Sequence, residues 1–165
     1  MFLYLVRHAE AKQSGEDPSR PLSEKGIQDI NRVAAYVSKL DIRIGKIFHS
    51  TKIRAKQTAE ILFEYLNPLQ GMFEVDGLSP LDDPNIWAER LKDMPGDIVL
   101  VGHLPHLARL TSLLLFNDTE KNLLSFEPAG MICLRGGENG TWSLHWMLTP
   151  EIVAGEKGIG PCDGL

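Results

Sequence analysis

The sequence has few cysteines, no block of basic residues and no long apolar run, and each absence excludes a class of protein. The two cysteines, Cys133 and Cys162, are too few for a disulfide framework, so we expect free thiols. The net charge of −5 and the pI near 5.5 argue against binding to nucleic acid or to an anionic membrane. The first apolar run ends at Arg7, too early for a signal peptide or a membrane span. We therefore expect a soluble cytoplasmic protein.

Length and composition favour a single domain. The chain has 165 residues with 43% hydrophobic content, which is enough for one sizeable core and leaves little room for a second. We assign residues 1–150 to this domain. Residues 151–165 are interpreted as a C-terminal tail, with a mobile segment expected from Thr149 onward.

Apolar runs of strand length alternate with amphipathic segments of helix length, which predicts an α/β fold with a largely parallel sheet. Ser23 is expected to begin a helix over residues 23–40, and Ser50 or Thr51 to cap a second helix that ends near Asn67. Residues 82–84 (Asp-Asp-Pro) are expected to open a short third helix that runs to about residue 92. The predicted strands are residues 2–6, 46–49, 73–75, 98–101, 131–134 and 143–147, and a fourth helix covers residues 104–116.

Charged side chains follow the ends of three predicted strands. Arg7 and His8 follow the first strand, Arg54 lies in the first turn of the helix after the second, and His103 follows residues 98–101. In an open α/β sheet, ligands bind at the carboxyl ends of strands, beside helix N-termini that favour anions. If these strands are neighbours, two histidines and two arginines converge. A phosphoryl group is the natural occupant of such a cluster.

Four separated motifs resemble the histidine phosphatase superfamily. The segment from Arg7 to Glu10 resembles its Arg-His-Gly signature, with Ala9 in place of the glycine; alanine would be strained there if the backbone needed a positive φ. Residues 20–26, 50–59 and 101–105 follow in the order of the short SixA-like phosphohistidine phosphatase branch. This resemblance covers nearly the whole chain. It implies a phosphoglycerate mutase-like, three-layer α/β/α sandwich without large cap insertions.

Carried onto this sequence, the resemblance implies a phosphatase that uses no cofactor and no metal. His8 would be the nucleophile, with Arg7, Arg54 and His103 around the phosphoryl oxygens and Arg20 holding the substrate phosphate. The chemistry agrees, because phosphoryl transfer needs a positioned nucleophile and fixed positive charge on the oxygens.

The general acid is the main departure from the family pattern. Gly77 stands about where related sequences often have a glutamate that protonates the leaving oxygen of phosphomonoesters. Asp76 and Asp83 are the candidates to replace that acid, and Asp82 is also close in sequence. An imidazole leaves more readily than an alkoxide, so the missing glutamate favours phosphohistidine over sugar phosphates.

The spacing of two histidines near residue 104 is one that metal sites also use. His103 and His106 have H-x-x-H spacing, but no cysteine or third histidine is near them in sequence, which disfavours zinc. We expect His106 at the rim of the pocket.

Three functions stay open on the sequence. The first is hydrolysis of phosphohistidine on a phosphotransfer protein through a covalent phospho-His8 intermediate. The second is a phosphomonoesterase that acts on a small phosphorylated molecule, and the third is a non-catalytic module that binds phosphorylated partners. The presence of both His8 and His103 disfavours the third function.

Overall fold

The structure, a computed structural model, describes residues 1–155, which are arranged around a six-stranded sheet. The strands are β1 (Phe2–Arg7), β2 (Lys46–Ser50), β3 (Met72–Val75), β4 (Ile98–Gly102), β5 (Met131–Gly136) and β6 (Trp142–Leu148). Their order across the sheet is β3-β2-β4-β1-β5-β6. The first four strands in this order run parallel, and β5 and β6 extend the sheet beyond β1 in antiparallel pairing. The predicted α/β fold with a mostly parallel sheet is confirmed.

Helices cover both faces of this sheet and complete the three layers. They are α1 (Glu24–Val37), α2 (Ile53–Leu66), α3 (Pro84–Lys92), α4 (His106–Phe116) and α5 (Pro150–Ala154). One core cluster joins the sheet to α1, α2 and α5, through residues such as Ile30 and Ala59. The other joins it to α3 and α4 through Trp87 and Leu107. None of these helices is long and apolar enough to cross a membrane.

The central strands are buried on both faces, as their apolar sequences predict. In β1, Tyr4 and Val6 belong to the core on the α1 side, whereas Leu3 and Leu5 belong to the core on the α4 side. This alternation follows from the two-residue period of a strand. Leu3, Leu5 and Val6 are fully buried, so the strand is fixed in the sheet and its end is held in place.

Side-chain hydrogen bonds explain where two helices begin. The Ser23 hydroxyl accepts from the Gly26 N–H at 3.0 Å, and the Asp83 carboxylate accepts from the Asn85 N–H at 3.0 Å. Both caps occupy backbone donors that the first turn of a helix leaves free. The predicted starts of α1 and α3 are confirmed.

The predicted cap of α2 is wrong. Lys52 is the N-cap residue, and no side chain caps this helix. The Ser50 hydroxyl lies 2.9 Å from the Nε2 atom of His103, which follows the end of β4, so it forms a hydrogen bond with this residue and not with the first turn of α2.

The C-terminal boundary of the domain lies beyond the predicted one. Residues 150–154 form α5, which begins with a hydrogen bond from the Ile152 N–H to the Thr149 hydroxyl. Val153 is buried against the core cluster that contains α1. The prediction of a tail from residue 151, mobile from Thr149, is wrong for this segment. Its remainder, with Cys162, lies outside the described residues.

The start of α1 lies against the loop that follows β1. A Cβ atom on Gly26 would lie 2.1 Å from the carbonyl oxygen of Glu10, which is far inside van der Waals contact. The same carbonyl accepts from the Ser23 N–H at 2.9 Å, so it is held in place. Glycine is therefore required where the helix meets this loop.

We expect Gly26→Ala to lower the free energy of unfolding by at least about 2 kcal/mol, because the added methyl forces backbone apart. Urea denaturation measures this change. Gly15→Ala is the matched control, since nothing lies within 4 Å of the corresponding Cβ position. Its effect should stay within about 0.5 kcal/mol. Equal effects of the two substitutions would contradict the close approach at Gly26.

Candidate active site

Parallel pairing brings the ends of β1, β4 and β2 to one edge of the sheet. Arg7 lies opposite Gly102 in the pairing of β1 with β4, and His49 lies opposite Val101 in the pairing of β2 with β4. The residues that follow these strands are therefore neighbours. The His8 N–H donates to the Gly102 carbonyl at 3.0 Å, which continues the pairing one residue past the end of β1.

The hydrogen bonds of His8 define the state of its ring. The Nδ1 atom lies 2.7 Å from the Ala9 carbonyl oxygen, and this contact requires a proton on Nδ1 because a carbonyl only accepts. The Nε2 atom consequently has a free lone pair, which accepts from the Nε–H of Arg54 at 3.3 Å. His8 thus presents a nitrogen with a free lone pair, which a nucleophile needs, to the side on which Arg54 lies.

Burial keeps this imidazole neutral. It lowers the pKa of His8 to about 4, against the opposing effect of the hydrogen bond to Ala9, and the charges of Arg54, Arg7 and Arg20 lower it further. A neutral imidazole is the form that can attack phosphorus.

Arginine side chains concentrate positive charge around His8. Arg7 Nη1 donates to the Phe126 carbonyl at 2.7 Å, while its buried Nε has no partner among the described residues. Burial lowers the pKa of both Arg7 and Arg54, and the charge of Arg20 adds to this effect on Arg54. Buried guanidinium groups with a donor still unpaired form a site suited to an anion.

Arg20 reaches the site from the loop between β1 and α1. Its backbone is in the left-handed region with φ of 52°, and its Nε donates to the Lys12 carbonyl at 3.2 Å. Its charge lowers the pKa of both His8 and Arg54, so Arg20 lies near enough to act on the site electrostatically.

His103 completes the cluster from the end of β4. Its ring centroid is 4.9 Å from that of His8, and only 1% of the residue is exposed. Its Nε2 contacts the Ser50 hydroxyl, while its buried Nδ1 has no partner in residues 1–155. Burial is the main cause that lowers the pKa of His103 to about 3, and the positive charge of Arg54 adds to it. The four residues expected to converge, Arg7, His8, Arg54 and His103, do lie together.

Sequence reasoning assigned no role to Thr58, although it lies in one of the four motifs. Its hydroxyl accepts from the Ala9 N–H at 3.0 Å and donates to the Arg54 carbonyl at 2.7 Å. Thr58 therefore ties the backbone that orients His8 to the helix that carries Arg54. Ala9 is fully buried beside it and is not among the residues with positive φ, so alanine is unstrained at this position.

The prediction for His106 is wrong. This residue is 0% exposed at the start of α4, rather than at the rim of a pocket, and neither ring nitrogen has a partner among the described residues. Burial lowers its pKa to about 4. Within residues 1–155, no group of three or more His, Cys, Asp or Glu side chains is arranged to hold a metal ion.

Neither candidate acid has the properties that the role requires. The Asp76 carboxylate is 84% exposed and lies 2.7 Å from the Arg90 guanidinium, which lowers its pKa. Asp83 caps α3, and its hydrogen bonds with Asn85 lower its pKa. A general acid near neutral pH needs a raised pKa, so the structure disfavours both residues.

Gly77 has no room for the glutamate that related sequences often have at about this position. Its φ is +78°, and a Cβ atom would lie 2.9 Å from the Ile86 side chain and 3.2 Å from the Trp87 indole nitrogen. The backbone at this position is thus shaped for glycine and closed to a longer side chain.

Comparisons with known proteins agree with this geometry. A family model described as the histidine phosphatase superfamily (branch 1) matches residues 3–79. An uncharacterized protein of Picosynechococcus is 36% identical over 145 residues, which cover 83% of this chain and 86% of the relative. The phosphohistidine phosphatase SixA of Escherichia coli is 22% identical over 164 residues, which cover 96% of this chain and 100% of the relative.

Solved structures share the fold. The structure of the protein histidine phosphatase SixA complexed with tungstate is similar with a TM-score of 0.82, at 22% identity. The match covers 93% of this chain and 99% of that chain. The phosphoglycerate mutase-like architecture expected from the motifs is confirmed.

We expect the histidines at positions 8, 103 and 106 to remain neutral in the folded protein until the pH falls to about 4 or below. The unfolded chain takes up protons near pH 6.5. Their contribution to stability is therefore complete above pH 6.5 and is lost as the pH falls toward 4, because protons favour the unfolded state in this window. NMR titration of the imidazoles in native and urea-unfolded protein measures the difference. Titration of native His8 near pH 6.5 would show that burial does not control its charge.

Proposed function

Because the chain belongs to the histidine phosphatase superfamily and resembles its SixA-like branch, we propose that it hydrolyses phosphohistidine on a partner protein through a phospho-His8 intermediate. Phosphatase activity of the histidine phosphatase type follows from the family. The substrate and the roles of individual residues are our proposal.

In the first step, the Nε2 lone pair of His8 attacks phosphorus. The bond from Nε2 to phosphorus forms as the bond from phosphorus to the substrate nitrogen breaks. Arg54 turns its donor from Nε2 to the phosphoryl oxygens, where Arg7 and His103 join it, and Arg20 holds the phosphate from the loop. Fixed donors of this kind stabilise the transition state because they need little reorganisation.

In the second step, water attacks phosphorus in phospho-His8. Inorganic phosphate leaves, and the electron pair of the broken bond returns to Nε2. The Ala9 carbonyl keeps the proton on Nδ1 throughout, so the ring is ready for another cycle. The proposed reaction needs no metal, since guanidinium groups supply the positive charge.

The leaving group is the strongest argument for phosphohistidine. When its second ring nitrogen carries a proton, the substrate imidazole leaves as a neutral molecule and requires no acid from the enzyme. An alkoxide leaving group requires such an acid. The engaged carboxylates of Asp76 and Asp83, together with the closed space at Gly77, support a substrate of the first kind.

The connections around the site favour a protein substrate over an enclosed small molecule. Residues 51–52 join β2 to α2, and residues 103–105 join β4 to α4. The longer connections, residues 8–23, 76–83 and 117–130, flank the site, and none of them contains a helix. A phosphohistidine side chain on the surface of a histidine phosphotransfer domain needs an open approach of this kind. The cytoplasmic location stays a prediction from the sequence.

We expect the wild-type protein to release phosphate from a phosphohistidine-bearing phosphotransfer domain and to carry an acid-labile label during turnover. His8→Ala should lower this rate at least about 10³-fold and abolish the label, because it removes the nucleophile. A generic aryl phosphate is the comparison substrate. Turnover of the aryl phosphate alone would support a small-molecule phosphomonoesterase. Phosphate binding with neither turnover nor label would support a binding module.

We expect Gly77→Glu to provide no working acid, so that it leaves turnover of an alkyl phosphate, whose alkoxide leaving group requires an acid, unchanged or lower, while it destabilises the fold. The added side chain meets Ile86 and Trp87 at a backbone of positive φ. Gly96→Glu is the matched control, because Gly96 has φ of +80° but nothing within 4 Å of its Cβ position. Thermal unfolding should show the larger loss for Gly77→Glu. A clear gain in alkyl phosphate turnover for that variant would contradict the steric argument.

A further inference from the structure

The Ser50 hydroxyl is fully buried where β2 ends and lies between two partners. The Lys52 N–H donates to it at 3.4 Å, and the Nε2 atom of His103 lies 2.9 Å from it. No other partner of this hydroxyl occurs in the part of the chain that the structure describes. The direction of the hydrogen bond to His103 depends on which ring nitrogen carries the proton.

Counting donors and acceptors decides the direction. If Nε2 carried the proton, Ser50 would accept from both partners, and its own O–H would be buried without an acceptor. The Nδ1 atom of His103 would then be a second buried group without a partner. If Ser50 instead donates to Nε2, only the N–H at Nδ1 is left unpaired. Since each buried polar group without a partner is costly, the second arrangement is favoured.

We propose that Ser50 is a positioning residue that holds the His103 proton on Nδ1, so that Nδ1 donates to a phosphoryl oxygen of the substrate. This inference rests on the proposed function, because it assigns one donor of the phosphate site. Nδ1 is the ring atom of His103 for which the described residues supply no partner, and this ring lies beside that of His8. An incoming oxygen on phosphorus therefore completes its hydrogen bonding.

A neutral donor is useful beside a neutral nucleophile. An imidazolium at His103 would offer a donor with either orientation, but burial and the positive charge of Arg54 lower the pKa of His103 to about 3. A neutral imidazole has one donor and one acceptor, and the wrong tautomer would present a lone pair to the phosphoryl oxygens. The orientation of one serine hydroxyl thus decides whether His103 attracts or repels the substrate. A buried hydroxyl that only filled space or joined β2 to α2 would have no effect on this tautomer.

The first test is an NMR spectrum of the imidazole nitrogens in uniformly ¹⁵N-labelled wild-type protein near neutral pH, with His103→Gln used for assignment. Protonated and unprotonated ring nitrogens have well-separated shifts. We expect His103 to show a protonated Nδ1 and an unprotonated Nε2. A protonated Nε2 would overturn the proposal without any variant of Ser50.

The second test compares Ser50→Ala with Ser50→Thr, which retains the hydroxyl. In Ser50→Ala we expect loss of the single tautomer and about five- to tenfold weaker binding of tungstate, the loss of roughly one hydrogen bond to an anion. Ser50→Thr should keep the wild-type tautomer. If Ser50→Ala does not fold, the wild-type spectrum and Ser50→Thr decide. An unchanged tautomer and unchanged tungstate affinity in folded Ser50→Ala would overturn the role of Ser50.

Ser112→Ala is the matched control for loss of a buried serine hydroxyl. Ser112 is 3% exposed in α4, and its hydroxyl accepts from the Asn122 N–H at 3.1 Å. This variant should leave both the His103 tautomer and tungstate binding unchanged.

These measurements need no turnover, so they separate the two proposals. The expected tautomer and tungstate affinities without phosphohistidine hydrolysis would reject the proposed function and leave the role of Ser50 standing. Hydrolysis through His8, together with a protonated His103 Nε2, would support the proposed function and reject the role of Ser50.

Discussion

The parallel pairing of β1, β4 and β2 is the constraint on which the site depends. Pairing in one direction places the carboxyl ends of all three strands at the same edge, and the full burial of Leu5, Val101 and Ile47 fixes their register. His8 and His103 follow directly from two of these ends, and Ser50 is the last residue of the third. A slip of one residue in any pair would turn these side chains to the opposite face of the sheet.

Two features make the site suited to an anion: buried hydrogen-bond donors without partners and histidine rings that stay uncharged. Arg7 retains a buried Nε and His103 a buried Nδ1 without partners in residues 1–155, although most buried polar groups in proteins are satisfied. Burial also makes protonation of His8 unfavourable, so the proposed nucleophile stays neutral among the surrounding cations at neutral pH. The unpaired donors cost stability in the free protein. An oxyanion supplies their missing acceptor, which explains why the arrangement suits phosphoryl transfer.

The sequence predicted features that depend on neighbouring residues better than features that depend on contacts between distant segments. The apolar patterns predicted the strands. The capping residues Ser23 and Asp83 predicted correct helix starts because their hydrogen bonds close within three residues. Ser50 looks like a cap beside a helix start, but its partner lies 53 residues away. Likewise, Val153 packs against a helix that a short C-terminal pattern cannot reveal, and the burial of His106 depends on packing at the start of α4. The convergence of the catalytic candidates was predictable because parallel strands share an edge.

Contacts with α3 hold the segment that follows β3, which contains Asp76 and Gly77. Arg90 stacks on Trp87 at 5.2 Å and donates to the Asp76 carbonyl, which the Trp87 indole N–H also contacts at 3.3 Å. These contacts hold Gly77 in its left-handed conformation against the same indole. A Cβ atom at Gly77 would lie against the Ile86 and Trp87 side chains of α3, so this position is suited to glycine rather than to a carboxylic acid. The proposed phosphohistidine substrate agrees with this feature, because its imidazole departs as a neutral molecule and requires no acid from the enzyme.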